Sequence, residues 1–93
     1  MTKTRNEILR ILRSYFEDNN ITYTHSVEDI GIFEYYKYGN YIFELSDIFL
    51  HINIGGKTVF SSHVFYYEKI IKEIIILQRK IKISELKKKI HAQ

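Results

Sequence analysis

The sequence predicts an α+β fold, in which an antiparallel β-meander of three to four strands is flanked by N- and C-terminal helices in the order α-β-β-β-(β)-α. Apolar residues recur at helical spacing near both ends of the chain and alternate with polar residues in the middle. Two pairs, Gly39-Asn40 and Gly55-Gly56, separate the alternating runs as hairpin turns do. At 93 residues the chain is expected to form one domain, 1–93.

A first helix is expected over about residues 5–18. Residues 4–7, Thr-Arg-Asn-Glu, fit a capping box, in which the threonine hydroxyl accepts a hydrogen bond from an amide of the first turn. The stripe expected to face the core consists of Ile8, Leu9, Ile11, Leu12, Tyr15 and Phe16. Asn19-Asn20 predicts a left-handed stop, because asparagine tolerates positive φ.

The middle of the chain is predicted to be β-structure. Residues 21–24 favour a short strand and residues 26–29 a loop. Residues 32–38 and 41–45 form a hairpin whose glycine-first turn suits type II′. The pairs expected on its core face are Glu34 with Leu45, Tyr36 with Phe43, and Tyr38 with Tyr41. The pairs expected on its solvent face are Phe33 with Ser46, Tyr35 with Glu44, and Lys37 with Ile42.

A second hairpin is expected to join residues 48–54 to 57–61. Its expected core face contains Ile48, Leu50, Ile52, Ile54 and Val59, and its other face Phe49, His51, Asn53, Thr58 and Phe60. Ser61 or Ser62 would cap a helix over about residues 63–82, which residues 85–91 either continue or follow as a separate turn. Its wide isoleucine stripe is either sandwiched between sheet and first helix or shared with another chain, so a homodimer through this helix is a hypothesis.

Composition points to a cytoplasmic protein. The chain has no cysteine, so it forms neither disulfides nor thiolate metal sites, and a reducing cytosol is the expected location. Its N-terminal residues lack the apolar segment of a signal peptide. No window approaches the roughly 18 apolar residues of a membrane span, so no membrane partner is expected.

The two halves of the chain carry opposite net charge. Residues 1–50 contain five Lys or Arg against eight Asp or Glu, whereas residues 51–93 contain nine against three. Most of the positive surplus lies late in the chain, at Arg79, Lys80, Lys82, Lys87, Lys88 and Lys89. An acidic, tyrosine-rich middle and a basic end suit the binding of a charged partner better than catalysis.

No convergent catalytic set is recognisable, so we expect neither an enzyme nor a bound metal or cofactor. The four histidines lack metal-ligand spacing. His51 and His63 are expected to come near each other, and surface histidines are favoured over a zinc site with Glu44 or Asp47. The acidic residues and lysine of the first hairpin lack the spacing of a metal-dependent nuclease, and a cross-strand ion pair explains them more simply.

Two sets of residues are candidates for binding. The solvent face of the first hairpin would contact a protein through Phe33, Tyr35, Lys37 and Glu44, since tyrosine offers flat amphipathic contact area. The late basic residues would steer a partner or contact phosphates, and these are Arg79, Lys80, Lys82, Lys87, Lys88 and Lys89. The alternatives are a core role for the tyrosines and, for the lysines, a solvated helix end that favours the helix dipole.

The order of helix, three strands and helix is similar to that of the double-stranded-RNA-binding domain, and residues 52–57 with Ser61-Ser62 resemble its last hairpin. That family has a lysine cluster at the start of its second helix, which grips phosphates. Here residues 63–67 read His-Val-Phe-Tyr-Tyr, and the lysines lie at the opposite end of the helix. The main binding element of that family is therefore missing.

In size, meander-plus-helix build, charge division and lack of a catalytic set, the chain resembles the small phage and mobile-element inhibitors of the anti-CRISPR type, which occupy a host effector. This resemblance implies a non-enzymatic inhibitor or adaptor that docks on a host protein or protein–RNA complex. One alternative is a direct RNA- or DNA-binding module that uses the C-terminal lysines. The other is a toxin-neutralising immunity protein with an acidic working surface.

Overall fold

The computed structural model describes residues 3–91, with the backbone alone for residues 89–91. It contains two α-helices and five strands, so the α+β prediction is confirmed, with one strand more than the upper count expected. In chain order the elements are α1 (Arg5–Asp18), β1 (Thr22–Glu28), β2 (Ile32–Tyr38), β3 (Tyr41–Leu45), β4 (Phe49–Ile54), β5 (Lys57–His63), a 3₁₀ turn (Val64–Tyr66) and α2 (Tyr67–His91).

The five strands form one antiparallel sheet in the order β1-β2-β3-β4-β5, so each strand pairs with its neighbours in the chain. β1 is longer than the strand predicted at residues 21–24, because it also includes residues 26–28, which were expected to form a loop. Every residue of β1 is exposed, and a register irregularity falls between Tyr23 and His25. An exposed, irregular edge strand has no buried face, so it lacks the alternation by which a strand is recognised in a sequence.

Both helices pack on the same face of the sheet and form the core with it. The fully buried side chains are Ile8, Leu12, Phe16, Ile21, Phe43, Leu45, Leu50, Ile52, Val64, Ile70 and Ile74. The helices run side by side in the same direction. The guanidinium of Arg5 lies 5.9 Å from the ring centroid of Phe65, and the side chain of Gln78 donates to the carbonyl of Asn19 at 3.4 Å.

The caps of α1 follow the prediction. The hydroxyl of Thr4 accepts a hydrogen bond from the amide of Glu7 at 3.3 Å. At the other end Asn20 has a φ of 60°, and the amide of Ile21 donates to the carbonyl of Phe16 at 2.9 Å. This is the hydrogen bond of a Schellman motif, in which a left-handed residue reverses the chain after the last helical turn.

The first hairpin has the predicted register. Its core-face pairs Glu34–Leu45, Tyr36–Phe43 and Tyr38–Tyr41 are all present, as are Tyr35–Glu44 and Lys37–Ile42 on the other face. Gly39 has a φ of 58° and Asn40 is not in the left-handed region, as a type II′ turn requires. The expected pair of Phe33 with Ser46 is wrong, because Ser46 belongs to the next turn, where its hydroxyl accepts from the amides of Ile48 and Phe49.

The second hairpin differs from the prediction in β5. Thr58 pairs with Asn53, and the next pair joins Phe60 to Ile52, so Val59 is an unpaired bulge residue. The extra residue reverses the faces of the strand beyond it. Val59 is therefore exposed and Phe60 packs against the core, the opposite of what uninterrupted alternation predicts. Ile48 also leaves the expected core face, because it lies in the turn before β4.

The predicted caps of the second helix are wrong. Ser61 and Ser62 lie within β5, and the 3₁₀ turn is capped instead by His63, whose Nδ1 accepts from the amide of Phe65 at 3.3 Å. The α-helix then runs to His91 without a break at Ser84, so residues 85–91 continue it. Its buried stripe is Ile70, Ile74 and Leu77, and Ile81 lies close to the turn at Gly39.

We expect Asn20→Ala to lower the free energy of unfolding by about 1 kcal/mol, because alanine is less stable than asparagine in the left-handed conformation. Asn20→Gly is the matched control at the same position and should be neutral or slightly stabilising. Urea denaturation followed by circular dichroism measures both changes. Equal losses in the two variants would show that the side chain of Asn20, and not its backbone conformation, is what matters.

Candidate functional site

The sheet has an open face, opposite the two helices. Because side chains alternate along a strand, each strand contributes residues to this face. No described helix covers it, and none of its side chains is fully buried. We define the open face by Thr22, His25 and Val27 of β1, Phe33, Tyr35 and Lys37 of β2, Ile42 and Glu44 of β3, Phe49, His51 and Asn53 of β4, and Thr58, Ser61 and His63 of β5.

The structure brings the four residues predicted for protein contact together on this open face. Phe33, Tyr35 and Lys37 alternate along β2, and Glu44 lies opposite Tyr35 on β3. Lys37 is exposed and the other three are half-buried. Neighbouring strands bury part of Phe33, Tyr35 and Glu44, which restricts these side chains while leaving part of each in contact with solvent.

A continuous row of side chains crosses all five strands through Tyr35 and Glu44. The successive cross-strand pairs are His25–Tyr35, Tyr35–Glu44, Glu44–His51 and His51–Ser61. The ring of His25 stacks on that of Tyr35 with centroids 4.7 Å apart and an interplanar angle of 11°. At the other end, the hydroxyl of Ser61 is hydrogen-bonded to Nδ1 of His51 at 2.7 Å.

A second group of rings lies beside the end of this row. Phe49 is 44% exposed, and its ring centroid lies 6.0 Å from that of His51 and 5.5 Å from that of His63. His63 also stacks on Phe65 at 5.0 Å. The contacts between rings restrict their rotamers, so less side-chain entropy remains to be lost when a partner binds.

The open face contains few formal charges. Lys37 and Glu44 are its one basic and one acidic residue, and they belong to neighbouring cross-strand rows. Burial raises the pKa of Tyr35, and the carboxylate of Glu44 adds to the shift. The phenol therefore stays neutral near pH 7, and it offers a hydrogen-bonding hydroxyl on an otherwise aromatic surface.

A hydroxyl hydrogen-bonded to an imidazole, as Ser61 is to His51, is the arrangement that activates hydroxyl nucleophiles. Both side chains lie on an open sheet surface in contact with water, which offers none of the solvent exclusion that favours acyl transfer. Among residues 3–88, no three His, Asp or Glu side chains are placed to hold a metal ion.

The basic residues predicted for phosphate contact do not lie on the open face. Arg79, Lys80, Lys82, Lys87 and Lys88 are exposed on the last turns of α2, which packs on the opposite face. Helical spacing distributes them around the helix axis and not along one side. The side chain of Lys89, also predicted, lies outside the described residues.

A cleft of about 500 Å³ lies on the helix side of the sheet, between the end of α1 and the strands β1 and β2. We call it the α1–β1 cleft. Its lining residues are Arg13, Glu17, Asn20, Ile21, Thr22, Tyr23, Glu34 and Tyr36.

Within the cleft, Glu34 is held by two partners. Nε and Nη2 of Arg13 donate to its two carboxylate oxygens at 2.9 and 3.1 Å, and the hydroxyl of Tyr36 donates to one of them at 2.8 Å. Burial by itself would raise the pKa of Glu34, but these hydrogen bonds and the charge of Arg13 outweigh it, so the pKa is lowered. Burial and the same hydrogen bond raise the pKa of Tyr36.

Sequence reasoning did not select His25, His51, Phe49 or His63 as site residues. Phe49 and His51 were placed on the correct face of their strand. Continuing the register of the first hairpin across the short turn after β3 would have paired His51 with Glu44. His25 had no such signal, because it was assigned to the boundary of a short strand and a loop.

Comparisons of this chain with protein-family models, with curated proteins and with solved structures each found no match. Among the helices of the described residues, none combines the length and the hydropathy that crossing a bilayer requires.

We expect Arg13→Met to lower the free energy of unfolding near pH 7 by up to about 1 kcal/mol, since the ion pair is partly exposed. The pKa of Glu34 is lower in the folded state. The stabilisation is therefore complete above the ordinary pKa of a glutamate in the unfolded chain, and it is lost as pH falls through the lower pKa of the folded state. Chemical denaturation of both proteins between pH 7 and pH 3 should show the difference shrinking on the acid side.

Arg10→Met is the control for this prediction, because it removes an exposed arginine from the same helix without removing a partner of Glu34. It should leave the pH dependence of stability unchanged. A difference between Arg13→Met and the wild type that persists undiminished at pH 3 would contradict the assignment to Glu34.

Proposed function

We propose that this chain is a non-enzymatic binding protein, an inhibitor or adaptor that docks on another protein through the open face of its sheet. The partner would be a cytoplasmic host protein or protein–RNA complex, as for small proteins of the anti-CRISPR type. The observation that supports this most directly is the open face itself. It is a five-stranded surface rich in half-buried aromatic and imidazole rings, with one formal charge of each sign.

The composition of this face favours a protein partner over a nucleic acid. Nucleic-acid binding needs several cations near the phosphates, and the open face has Lys37 alone, with Glu44 nearby. Interface cores of proteins are instead depleted in charge and enriched in aromatic residues. Tyr35 and Phe49 have this character: Tyr35 pairs with Glu44 across the strands, and Phe49 lies two residues before His51 on β4, with the two rings 6.0 Å apart.

The scaffold behind the face supports the same proposal. β2, β3 and β4 are each paired on both sides, and their opposite side chains Tyr36, Phe43 and Ile52 are buried under the helices. A contact surface on the inner strands of a packed sheet is largely preorganised, so little ordering free energy opposes binding. Lys37 and Glu44 would then set the orientation of the partner by charge.

Replacement of Tyr35 and Phe49 by serine should weaken partner binding by about thirtyfold or more, as expected for central aromatic anchors worth about 2 kcal/mol. The matched control is Ile76→Ser, which removes a large apolar side chain that is 43% exposed on α2 and does not belong to the open face. The partner is first captured from the native host by photo-cross-linking from position 35. Its affinity for the three purified proteins is then measured by calorimetry.

Charge substitutions at Lys37 and Glu44 extend this test. Lys37→Glu and Glu44→Lys should each reduce the association rate and alter its salt dependence, because oriented charges steer the encounter.

Two outcomes would contradict the proposal. One is equal binding of the partner by the wild type and by the serine variant, in which both Tyr35 and Phe49 are replaced. The other is weaker binding by Ile76→Ser than by the serine variant, which would place the interface on the helix side.

A second candidate function is direct RNA or DNA binding through α2. The observation that favours it is the exposure of Arg79, Lys80, Lys82, Lys87 and Lys88 over its last turns. Each phosphate that such residues neutralise releases counterions, so affinity would fall steeply between about 50 and 200 mM salt.

The test for this second function is titration with labelled single- and double-stranded RNA and DNA at these two salt concentrations. Lys87→Ala with Lys88→Ala should weaken binding equally for all sequences, because phosphate contacts carry no sequence information. The control, Lys69→Ala with Lys72→Ala, removes two exposed lysines from the first turns of the same helix. No binding at the lower salt concentration would exclude this function.

A further inference from the structure

The last part of α2 extends beyond the rest of the molecule. The helix has 25 residues, about 37 Å at 1.5 Å per residue, whereas a seven-residue strand of this sheet spans about 23 Å. The stripe that packs on the sheet and its turns ends at Ile81, and every residue from 82 to 88 is exposed. We call residues 82–91 the projecting end.

The projecting end has an apolar pair with cations around it. Ile83 and Leu86 are 54% and 58% exposed, and they are neighbours on one side of the helix at a spacing of three residues. Lys82 lies four residues before Leu86, and Lys87 lies four residues after Ile83, so one lysine is next to each apolar side chain. Helical spacing turns this patch away from the direction of the buried stripe. We call these four residues the outer patch.

The α1–β1 cleft has complementary chemistry. Its floor includes the buried Ile21, and the rings of Tyr23 and Tyr36 form a wall, with centroids 5.6 Å apart. Its carboxylates are Glu34, whose two oxygens are taken up by Arg13, and Glu17, which is exposed on the rim. Five of its eight lining residues are polar or charged, and because Ile21 and Tyr36 are almost fully buried, the accessible apolar side chain is that of Tyr23, which is 53% exposed. The cleft therefore offers one exposed aromatic ring with the carboxylate of Glu17 at its edge.

The position of the cleft at the end of α1 increases its negative potential. The last turn of α1 contains Glu17 and Asp18 and no basic residue, although a helix C-terminus is stabilised by cations. Asn20, at the turn that follows, also lines the cleft. A lysine brought to this point by another molecule would meet the helix dipole and the carboxylate of Glu17 together.

The cleft and the projecting end lie at the same end of the molecule. Gln78, one turn before the projecting end, is hydrogen-bonded to the carbonyl of Asn19, which directly precedes the cleft residue Asn20. Within one chain the projecting end does not pack in the cleft, since residues 82–88 are exposed. A two-fold axis near this end would bring each projecting end to the cleft of the other copy, which makes two identical contacts.

We propose that two copies of this chain form a reciprocal dimer, in which the outer patch of each projecting end docks in the α1–β1 cleft of the other copy. Leu86 and Ile83 pack against the exposed ring of Tyr23, and Lys82 or Lys87 pairs with Glu17. Thr22 is the one open-face residue that also lines this cleft, so Tyr35, Glu44, Phe49 and His51 stay free in this dimer.

The charges of the chain favour this arrangement over two others. Direct pairing of two α2 helices along the outer patch would bring Lys82 and Lys87 of both copies together, and like charges disfavour it. An RNA ligand would be attracted by the lysines but gives no burial to Ile83 and Leu86. A second copy provides both the apolar contact and the negative charge.

The first test is the molar mass of the purified protein, measured by light scattering and sedimentation velocity. At about 50 mM salt the mass should be about twice the chain mass of 11.2 kDa, and it should decrease toward that of the monomer near 1 M salt, where charges are screened. A monomer at low salt and at concentrations up to about 1 mM would overturn the proposal.

The second test exchanges the charges of the two surfaces. Variant one carries Glu17→Lys, and variant two carries Lys82→Glu with Lys87→Glu. Each alone should be at least about tenfold weaker in self-association, because its two surfaces then have the same sign of charge. An equal mixture should form a heterodimer again, detected by native mass spectrometry, because both contacts are then between opposite charges.

Two controls keep this result interpretable. Glu17→Lys puts a cation at the C-terminus of α1, which favours the helix, so circular dichroism should show that variant folded. Lys69→Glu with Lys72→Glu makes the same change of charge at the other end of α2 and should leave the dimer intact. A mixture that stays monomeric, or a control that dissociates as much as variant two, would refute the reciprocal contact.

Discussion

The hydrophobic core of this protein lies between two helices and one face of a five-stranded sheet, and the rest of the structure depends on this one-sided burial. Apolar burial is the main favourable term in folding, and here it is confined to a single layer of contacts that includes Phe16, Phe43, Leu50 and Ile74. Two helices suffice to cover one face of the sheet. The other face, the edge strand β1 and the last turns of α2 are the parts that this core does not reach.

The open face, the projecting end of α2 and the α1–β1 cleft differ in chemistry. The open face is aromatic and nearly neutral, so it suits a protein surface that buries Tyr35 and Phe49. The projecting end of α2 is basic with an apolar pair, and the α1–β1 cleft combines the exposed ring of Tyr23 with the carboxylate of Glu17. Glu17 comes from the acidic half of the chain, and Lys82 and Lys87 come from the basic half. Both surfaces lie at one end of the molecule, where the proposed contact between two copies would pair these charges.

Several elements followed from local patterns alone. The cap at Thr4, the stop at Asn20 and the turn at Gly39 depend on residues close in sequence, so short-range chemistry was enough to predict them. The register of the first hairpin followed from its turn, and it put Tyr35 opposite Glu44 as expected. One error occurred where a bulge interrupted alternation, at Val59, so that Phe60 turns inward. Another occurred where the end of a strand was not marked locally, so that Ser61 and Ser62 belong to β5 and do not cap a helix.

The amino-acid sequence by itself determined the order of helices and strands, the face of each inner strand that turns to the core, and the separation of charge along the chain. These properties depend on side-chain periods and on turn residues, which act over a few positions. Only the tertiary structure decided that His25 and His51 join Tyr35 in one row, and that the projecting end and the cleft lie at the same end. Those relations depend on strand order, on bulges and on the direction in which α2 crosses the sheet, and contacts between residues distant in sequence determine all three.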